Sequence, residues 1–322
     1  MVEALRVARR LRTVTFDPPP VIIVGHWRSG TTLLYNLMSR DPAFCFPRID
    51  DALRPYDFYP GGLEVITRWL VRLSLPATRP MDDIPLSSDL PQEDEIALAT
   101  MGVPSFMNCF YFPRQISKIF AEEVLFQGAD SSTVRSWGDA LVYYLAKLAV
   151  LNPGRRLLLK SPAHSARIPQ LRALFPGAKF IHIHRNPADV FHSTRKLYQS
   201  ILPLCALQDY EPSSIDDHII WAYPQLINRL LDGLAQVPPT HLTTVSYDEL
   251  VAAPTQTLER IYRELALGEF DRVRASIEAY PARIAPRRST GHVDRPTASR
   301  LESLWAPVLA RLGYSQVFCE GA

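Results

Sequence analysis

The chain has 322 residues, which is long enough for one large α/β domain or two smaller ones. A hydrophobic fraction of 47% and a charged fraction of 21% are those of a globular protein and exclude a fully disordered chain. A net charge of +2 gives no broad basic field, so we expect no nucleic-acid partner. No apolar run approaches the roughly 18 residues of a membrane helix, so we expect no integral membrane segment.

The four cysteines lie far apart in the sequence and form no CxxC pair. This spacing argues against a zinc site and against a disulfide scaffold. Free thiols in a reducing compartment are the simplest interpretation, and we therefore expect a cytoplasmic location.

The order of the predicted elements favours one domain over the whole of 1–322. Residues 1–19 are predicted to form a short Arg-rich surface helix and a Pro-rich lead-in, with the catalytic domain at 20–322. Apolar runs predict four buried parallel strands at 21–24, 156–160, 179–184 and 241–247. Helical spacing predicts helices at 132–151, 165–175, 187–197, 218–235, 254–267 and 301–312. Alternating strands and helices indicate an α/β fold, a parallel sheet flanked by helices.

Residues 42–92 interrupt this alternation with Pro-punctuated, mixed sequence. We expect loops and short helices there, forming an insertion that shapes a substrate site.

A glycine-bounded loop follows the first predicted strand and precedes an apolar helix. Residues 25–32 read GHWRSGTT, the length of a Walker A loop. Backbone amides in such a loop, with a helix N-terminus behind them, bind anionic oxygens. The lysine that reaches the β- and γ-phosphates is absent, because Thr31 occupies its place and Arg28 stands three residues earlier. No hydrophobic run ending in Asp resembles a Walker B strand, so a P-loop kinase is disfavoured but stays an alternative.

A second anion site is predicted at the end of the strand 179–184. Arg185 lies where open α/β sheets bind ligands, and Ser193 lies about two helical turns further on. A guanidinium and a hydroxyl at this spacing can hold a second phosphate. An ion-paired surface Arg and a solvent-facing Ser are the plain alternatives for either residue alone.

These two motifs resemble those of sulfotransferases that use 3′-phosphoadenosine 5′-phosphosulfate (PAPS). RSGTT resembles the 5′-phosphosulfate loop of that family, and RNPADVFHS resembles its 3′-phosphate motif, RNPxDVxxS. The resemblance runs from about residue 20 to 314 and is closest to a mostly bacterial branch carrying PQEDE and LLLKSPxHxxR. It implies a P-loop-like sulfotransferase fold, PAPS as donor and no metal.

Site residues follow from the resemblance position by position. It implies that the 5′-phosphosulfate is held by Arg28, Ser29, Gly30, Thr31 and Thr32. It implies that the 3′-phosphate is held by Arg185 and Ser193, with Tyr247 near the adenine and a late loop containing Arg287 and Arg288. Cytosolic members have Lys at the position of Arg28 and an adenine-stacking Trp at the position of Leu33.

The catalytic base has two kinds of candidate. In-line sulfuryl transfer needs a group that takes the acceptor proton and a cation at the leaving oxygen. Lys160 ends the predicted strand 156–160, and His164 follows it. This segment resembles the KTHLP segment of cytosolic sulfotransferases, whose His is the base. His192 and the two histidines of the strand 179–184 are weaker candidates.

Carboxylates are the rival candidates for the base. Glu93 and Asp94 in PQEDE are preferred among them, while Asp50 and Asp51 lack a matching motif. A helix N-terminus would also explain an EDE run.

The sequence therefore predicts a PAPS-dependent sulfotransferase acting on a hydroxyl of a small molecule, lipid or glycan. A noncatalytic nucleotide-binding protein of the same fold is the further alternative. A homodimer is compatible with the sequence.

Overall fold

The computed structural model describes residues 14–58, 90–280 and 295–314, together with residues 11, 66, 69 and 70. The expected N-terminal helix falls almost entirely outside these residues, as do Arg287 and Arg288. The insertion at 42–92 is described at its two ends.

Five parallel strands form one sheet at the centre of a single α/β domain. The strands are β1 (Val21–Val24), β2 (Phe44–Cys45), β3 (Arg156–Lys160), β4 (Lys179–His184) and β5 (Leu242–Ser246). Their order across the sheet is β2-β3-β1-β4-β5. Val21 pairs with Leu158 on one side and Lys179 on the other, which places β1 between the two strands that carry the other predicted motifs.

Thirteen α-helices are described. They are α1 (Thr31–Met38), α2 (Ile49–Leu53), α3 (Glu95–Thr100), α4 (Asn108–Tyr111), α5 (Ile116–Ile119), α6 (Ser131–Leu151), α7 (Ile168–Leu174), α8 (Pro187–Cys205), α9 (Pro212–Leu234), α10 (Tyr247–Ala252), α11 (Pro254–Glu264), α12 (Asp271–Glu278) and α13 (Arg295–Leu312). Short 3₁₀ turns at Pro113–Gln115, Pro162–Ala166 and Pro239–His241 and a π-helical turn at Phe120–Val124 join some of them. No helix in the described ranges has both the length and the apolar composition needed to cross a membrane.

The central strands β1, β3 and β4 are buried on both faces, which explains their largely apolar sequences, whereas the edge strand β5 leaves Thr244 exposed. Ile22 and Val24 join a large core formed with α3–α9 and α13. Val21 and Ile23 point to the opposite face and join a smaller core formed with α1 and α10–α12. This alternation follows from the period of two in a strand.

Two differences from the sequence prediction have simple physical causes. β2 was not predicted, because a two-residue strand carries no periodicity. The predicted helix at 165–175 begins instead at Ile168, after the 3₁₀ turn that contains His164. The 3₁₀ turn follows the carboxyl end of β3, where predicted site residues lie, whereas β2 pairs with the first two residues of β3.

Candidate active site

The loop between β1 and α1 has a backbone that only glycine allows at Gly30. This residue caps α1 with a φ of 100°, and a Cβ added there would lie 2.5 Å from Cδ2 of Tyr247. The loop and the first residue of α10 therefore approach each other closely, which requires glycine. The approach brings Tyr247 to the loop 25–32, the predicted phosphate loop.

Hydrogen bonds hold the loop in this shape from inside the fold. The Ser29 hydroxyl donates to the carbonyl of His26 at 2.7 Å. The Ser165 hydroxyl accepts from the Gly25 amide at 2.9 Å and donates to the Gly25 carbonyl at 3.1 Å. Burial lowers the pKa of His26 to about 4, so this imidazole adds no charge to the loop at neutral pH. The loop is thus preformed, with its positive charge carried by Arg28.

The two predicted anion motifs meet at Arg28. Its Nε donates to Oγ of Ser193 at 2.8 Å. Arg185 donates to the Arg28 carbonyl at 3.5 Å, pairs with Asp189 at 3.2 Å and lies 4.4 Å above the Tyr247 ring. Residues that are distant in the sequence therefore form one cationic site at the ends of β1 and β4.

Lys160 connects this site to the PQEDE segment. Its ammonium donates to Oε1 of Glu93 at 2.5 Å and to the Thr32 hydroxyl at 3.4 Å. The Glu93 side chain is 17% exposed, whereas that of Lys160 is 4% exposed. A buried cation and a partly accessible carboxylate thus lie beside the loop expected to hold the donor.

The other two candidates for the base pair with each other. Nε2 of His164 lies 2.6 Å from Oδ2 of Asp94, and both side chains are fully buried. Nδ1 of His164 has no hydrogen-bond partner among the described residues. The imidazole therefore has no access to a bound acceptor in this conformation.

The remaining candidates lie elsewhere. Asp50 and Asp51 are buried in α2, and His192 is buried in α8. Burial lowers the pKa of His182 to about 3 and also lowers that of His184. Leu33 packs against the smaller core, where the cytosolic relatives would have a Trp.

Within the described ranges, no group of three His, Cys, Asp or Glu side chains comes together as a metal site.

Two contacts were not predicted from the sequence: the ion pair between Arg167 and Glu95, and the hydrogen bonds between Ser165 and the Gly25 backbone. Arg167 donates to Glu95 at 3.1 Å, and both side chains are buried. Ser165 clamps the Gly25 backbone as described above. The sequence did contain a pattern that could have indicated the ion pair: three acids at 93–95 and three basic residues within 160–167.

Comparison with known proteins identifies the family of the chain. The model of the family described as "Sulfotransferase family" matches residues 19–271. Omega-hydroxy-beta-dihydromenaquinone-9 sulfotransferase Stf3 of Mycobacterium bovis is 30% identical over 312 residues, covering 96% of this chain and 78% of the relative. The same protein of Mycobacterium tuberculosis matches equally well.

Two solved structures share the fold. Sulfotransferase STF9 from Mycobacterium avium superimposes with a TM-score of 0.78 at 19% identity, covering 97% of this chain and 81% of that one. Sulfotransferase STF1 from Mycobacterium tuberculosis gives a TM-score of 0.63 at 16% identity, covering 94% and 80%. The match to the family model over most of the chain, with the relative at 30% identity, shows that this chain belongs to the sulfotransferase family.

Proposed function

We propose that the protein moves the sulfuryl group of PAPS to the hydroxyl of an apolar alcohol. The observation that carries the donor assignment is the contact between Arg28 and Ser193, which joins the phosphate loop to the second anion motif. A nucleotide with two separate anionic groups fits two joined cationic sites. ATP would place all its phosphates on one loop, where Thr31 replaces the Walker lysine.

In this proposal the donor lies across the ends of β1 and β4. The 5′-phosphosulfate binds the amides of the loop 25–32, and the 3′-phosphate binds Arg185 and Ser193. Tyr247 supports this arrangement, because its ring already carries the Arg185 guanidinium. That contact limits the positions the guanidinium can adopt.

The transfer step follows from the charges beside the loop. The acceptor oxygen attacks sulfur as the bond from sulfur to the 5′-phosphate oxygen breaks. Lys160 stabilises the negative charge on that leaving oxygen, and Glu93 takes the acceptor proton. The products are a sulfate ester and adenosine 3′,5′-bisphosphate.

Glu93 is the proposed base because it is the candidate with an accessible carboxylate. The 17% exposure of its side chain contrasts with the complete burial of Asp94 and His164. A base must reach the acceptor hydroxyl within hydrogen-bond distance. In the alternative, His164 is the base, which would require the pair with Asp94 to open.

The acceptor class is proposed from the relative at 30% identity, whose name gives a hydroxylated menaquinone as its substrate. A primary alcohol on a polyprenyl chain is the corresponding probe. We place the reaction in the cytoplasm, where the thiols of Cys45, Cys109 and Cys205, which are free among the described residues, would stay reduced.

Thermal unfolding with two nucleotides tests the donor assignment. Adenosine 3′,5′-bisphosphate should raise the melting temperature far more than the same concentration of ATP with magnesium. Equal or greater stabilisation by ATP would contradict the assignment and favour a kinase.

A further inference from the structure

Three consecutive acids in the PQEDE segment pair with three basic residues spaced along the end of β3 and its connection to α7. The pairs are Glu93–Lys160 at 2.5 Å, Asp94–His164 at 2.6 Å and Glu95–Arg167 at 3.1 Å. The acids lead into α3, whose first residue is Glu95, and the bases lie at the end of β3, within the 3₁₀ turn Pro162–Ala166 and directly after that turn. The two segments are therefore held in a single register.

The first pair is partly exposed, and the other two are buried. Glu93 is partly exposed, whereas the Asp94–His164 and Glu95–Arg167 pairs are buried almost completely. Burying ion pairs costs solvation energy and adds little net stability, whereas fixing a register is a well-attested use of buried polar groups. The two inner pairs thus fix the place of the carboxylate that faces the site.

The same 3₁₀ turn also holds the phosphate loop. Ser165 follows His164 directly and bonds both the amide and the carbonyl of Gly25. A continuous path therefore runs from Glu93 through the Asp94–His164 pair and Ser165 to the loop expected to hold the donor. Errors of about 1 Å in the placement of reacting groups can reduce rates about a hundredfold.

We propose that Asp94, His164 and Ser165 are positioning residues that set the place of Glu93 relative to the phosphate loop. This inference rests on the proposed function. His164 acts through its Nε2 bond to Asp94 and takes no proton from the acceptor. Its ring is fully buried, and its Nδ1 meets no partner among the described residues.

Substitution with Gln separates positioning from base catalysis. The amide nitrogen of Gln can replace Nε2 of His as a donor to Asp94, but Gln cannot act as a base. With PAPS and farnesol, His164→Gln should keep kcat within about threefold of wild type, whereas His164→Ala should lower kcat about tenfold to a hundredfold. The Kd of adenosine 3′,5′-bisphosphate should stay within about threefold for both variants. Equal losses of kcat in His164→Gln and His164→Ala would overturn the proposal and make His164 the base.

Hydrogen exchange gives a readout that does not need turnover. His164→Ala should increase deuterium uptake in the peptide containing Gly25, and His164→Gln should not. Ser165→Ala, which removes a single hydroxyl, should also increase uptake there and covers the case in which His164→Ala fails to fold. Unchanged uptake at Gly25 in Ser165→Ala would overturn the path through this residue.

Asp41→Asn is the matched control for loss of a buried carboxylate. Asp41 is fully buried and accepts bonds from Tyr262 and Arg272, away from the phosphate loop. This variant should lose stability but keep kcat and the uptake at Gly25. Failure of the wild type to sulfate farnesol would count against the proposed function, while the exchange measurements would still decide the positioning path.

Discussion

The guanidinium of Arg28 donates from Nε to the hydroxyl of Ser193 at 2.8 Å. One residue belongs to the loop after β1, and the other lies two turns into α8. The contact joins the two anion motifs, so a group bound at one site lies next to the cation of the other. Binding of the 5′ and 3′ groups of one nucleotide should therefore depend on the same few side chains.

Loss of Arg185 should weaken binding of the 3′-phosphate selectively. Arg185→Ala removes a charge-assisted contact worth roughly 1.5–3 kcal/mol, so the Kd of adenosine 3′,5′-bisphosphate should rise about tenfold to a hundredfold. The Kd of adenosine 5′-phosphosulfate, which lacks the 3′-phosphate, should change little. Isothermal titration calorimetry measures both ligands.

Arg195→Ala is the control for this variant. Arg195 lies in α8, the helix that follows Arg185, and it pairs with Asp216 at 2.7 Å. Both nucleotides should bind this variant as they bind wild type. Similar losses for both nucleotides in Arg185→Ala would mean that Arg185 supports the fold and does not read the 3′-phosphate.

Neutralising Glu93 should slow transfer without weakening the donor complex. Glu93→Gln keeps the shape of the side chain but removes its basicity, so kcat with farnesol should fall about 10²–10⁴-fold. The affinity for adenosine 3′,5′-bisphosphate should stay near that of wild type. Glu122→Gln, which removes an exposed carboxylate paired with Lys118, should leave kcat unchanged. Full activity in Glu93→Gln would shift the role of base to another group.

A methyl group added at Gly30 should lower the stability of the protein more than a methyl group added at another glycine of positive φ. Gly30→Ala combines backbone strain with a 2.5 Å approach to the Tyr247 ring. Gly102→Ala has a φ of 74° and open space around the new methyl, so it reports the strain alone, about 1–2 kcal/mol. Urea unfolding should show a further loss of about 1–3 kcal/mol for Gly30→Ala. Equal losses in the two variants would mean that the contact with Tyr247 is relaxed in solution.

The strands that carry the site could be predicted from the sequence because each is a short apolar run followed by polar residues. The bounds of β1, β3 and β4 agree with the prediction residue for residue. β2 and the continuation of α8 to Cys205 could not be predicted in this way. β2 has two residues, and α8 continues through Pro203, which normally signals a helix end.

The sequence predicted the candidate base residues but not how they pair. Four candidates form two pairs, Glu93 with Lys160 and Asp94 with His164. Sequence spacing could not show that Glu93 is partly exposed while Asp94 and His164 are buried. Pairing and burial depend on how the PQEDE segment packs against the end of β3, which is a tertiary contact. The catalytic roles themselves stay predictions.

Acid should destabilise the fold through its buried histidines. Burial holds the pKa of His182 near 3, below the value of about 6.5 in an unfolded chain. Below pH 6.5 the unfolded state binds more protons, so stability falls as the pH decreases toward 3. At pH 5 this residue should lower the free energy of unfolding by about 2 kcal/mol relative to neutral pH.

Urea unfolding of wild type and His182→Gln at pH 7 and pH 5 measures this contribution. The loss of unfolding free energy between the two pH values should be smaller in the variant by about 2 kcal/mol. The difference between the two proteins at pH 7 serves as the reference for the effect of the substitution itself. An identical loss in both proteins would show that His182 takes up a proton in the folded state.

The proposed activity is transfer of a sulfuryl group from PAPS to an alcohol. The most direct test is to incubate the wild-type chain with PAPS and farnesol and to quantify both products by mass spectrometry. We expect farnesyl sulfate and adenosine 3′,5′-bisphosphate in equal amounts, and no phosphorylated product when ATP replaces PAPS. Phosphoryl transfer from ATP, or no sulfate ester from a panel of apolar alcohols under conditions where the bisphosphate binds, would contradict it.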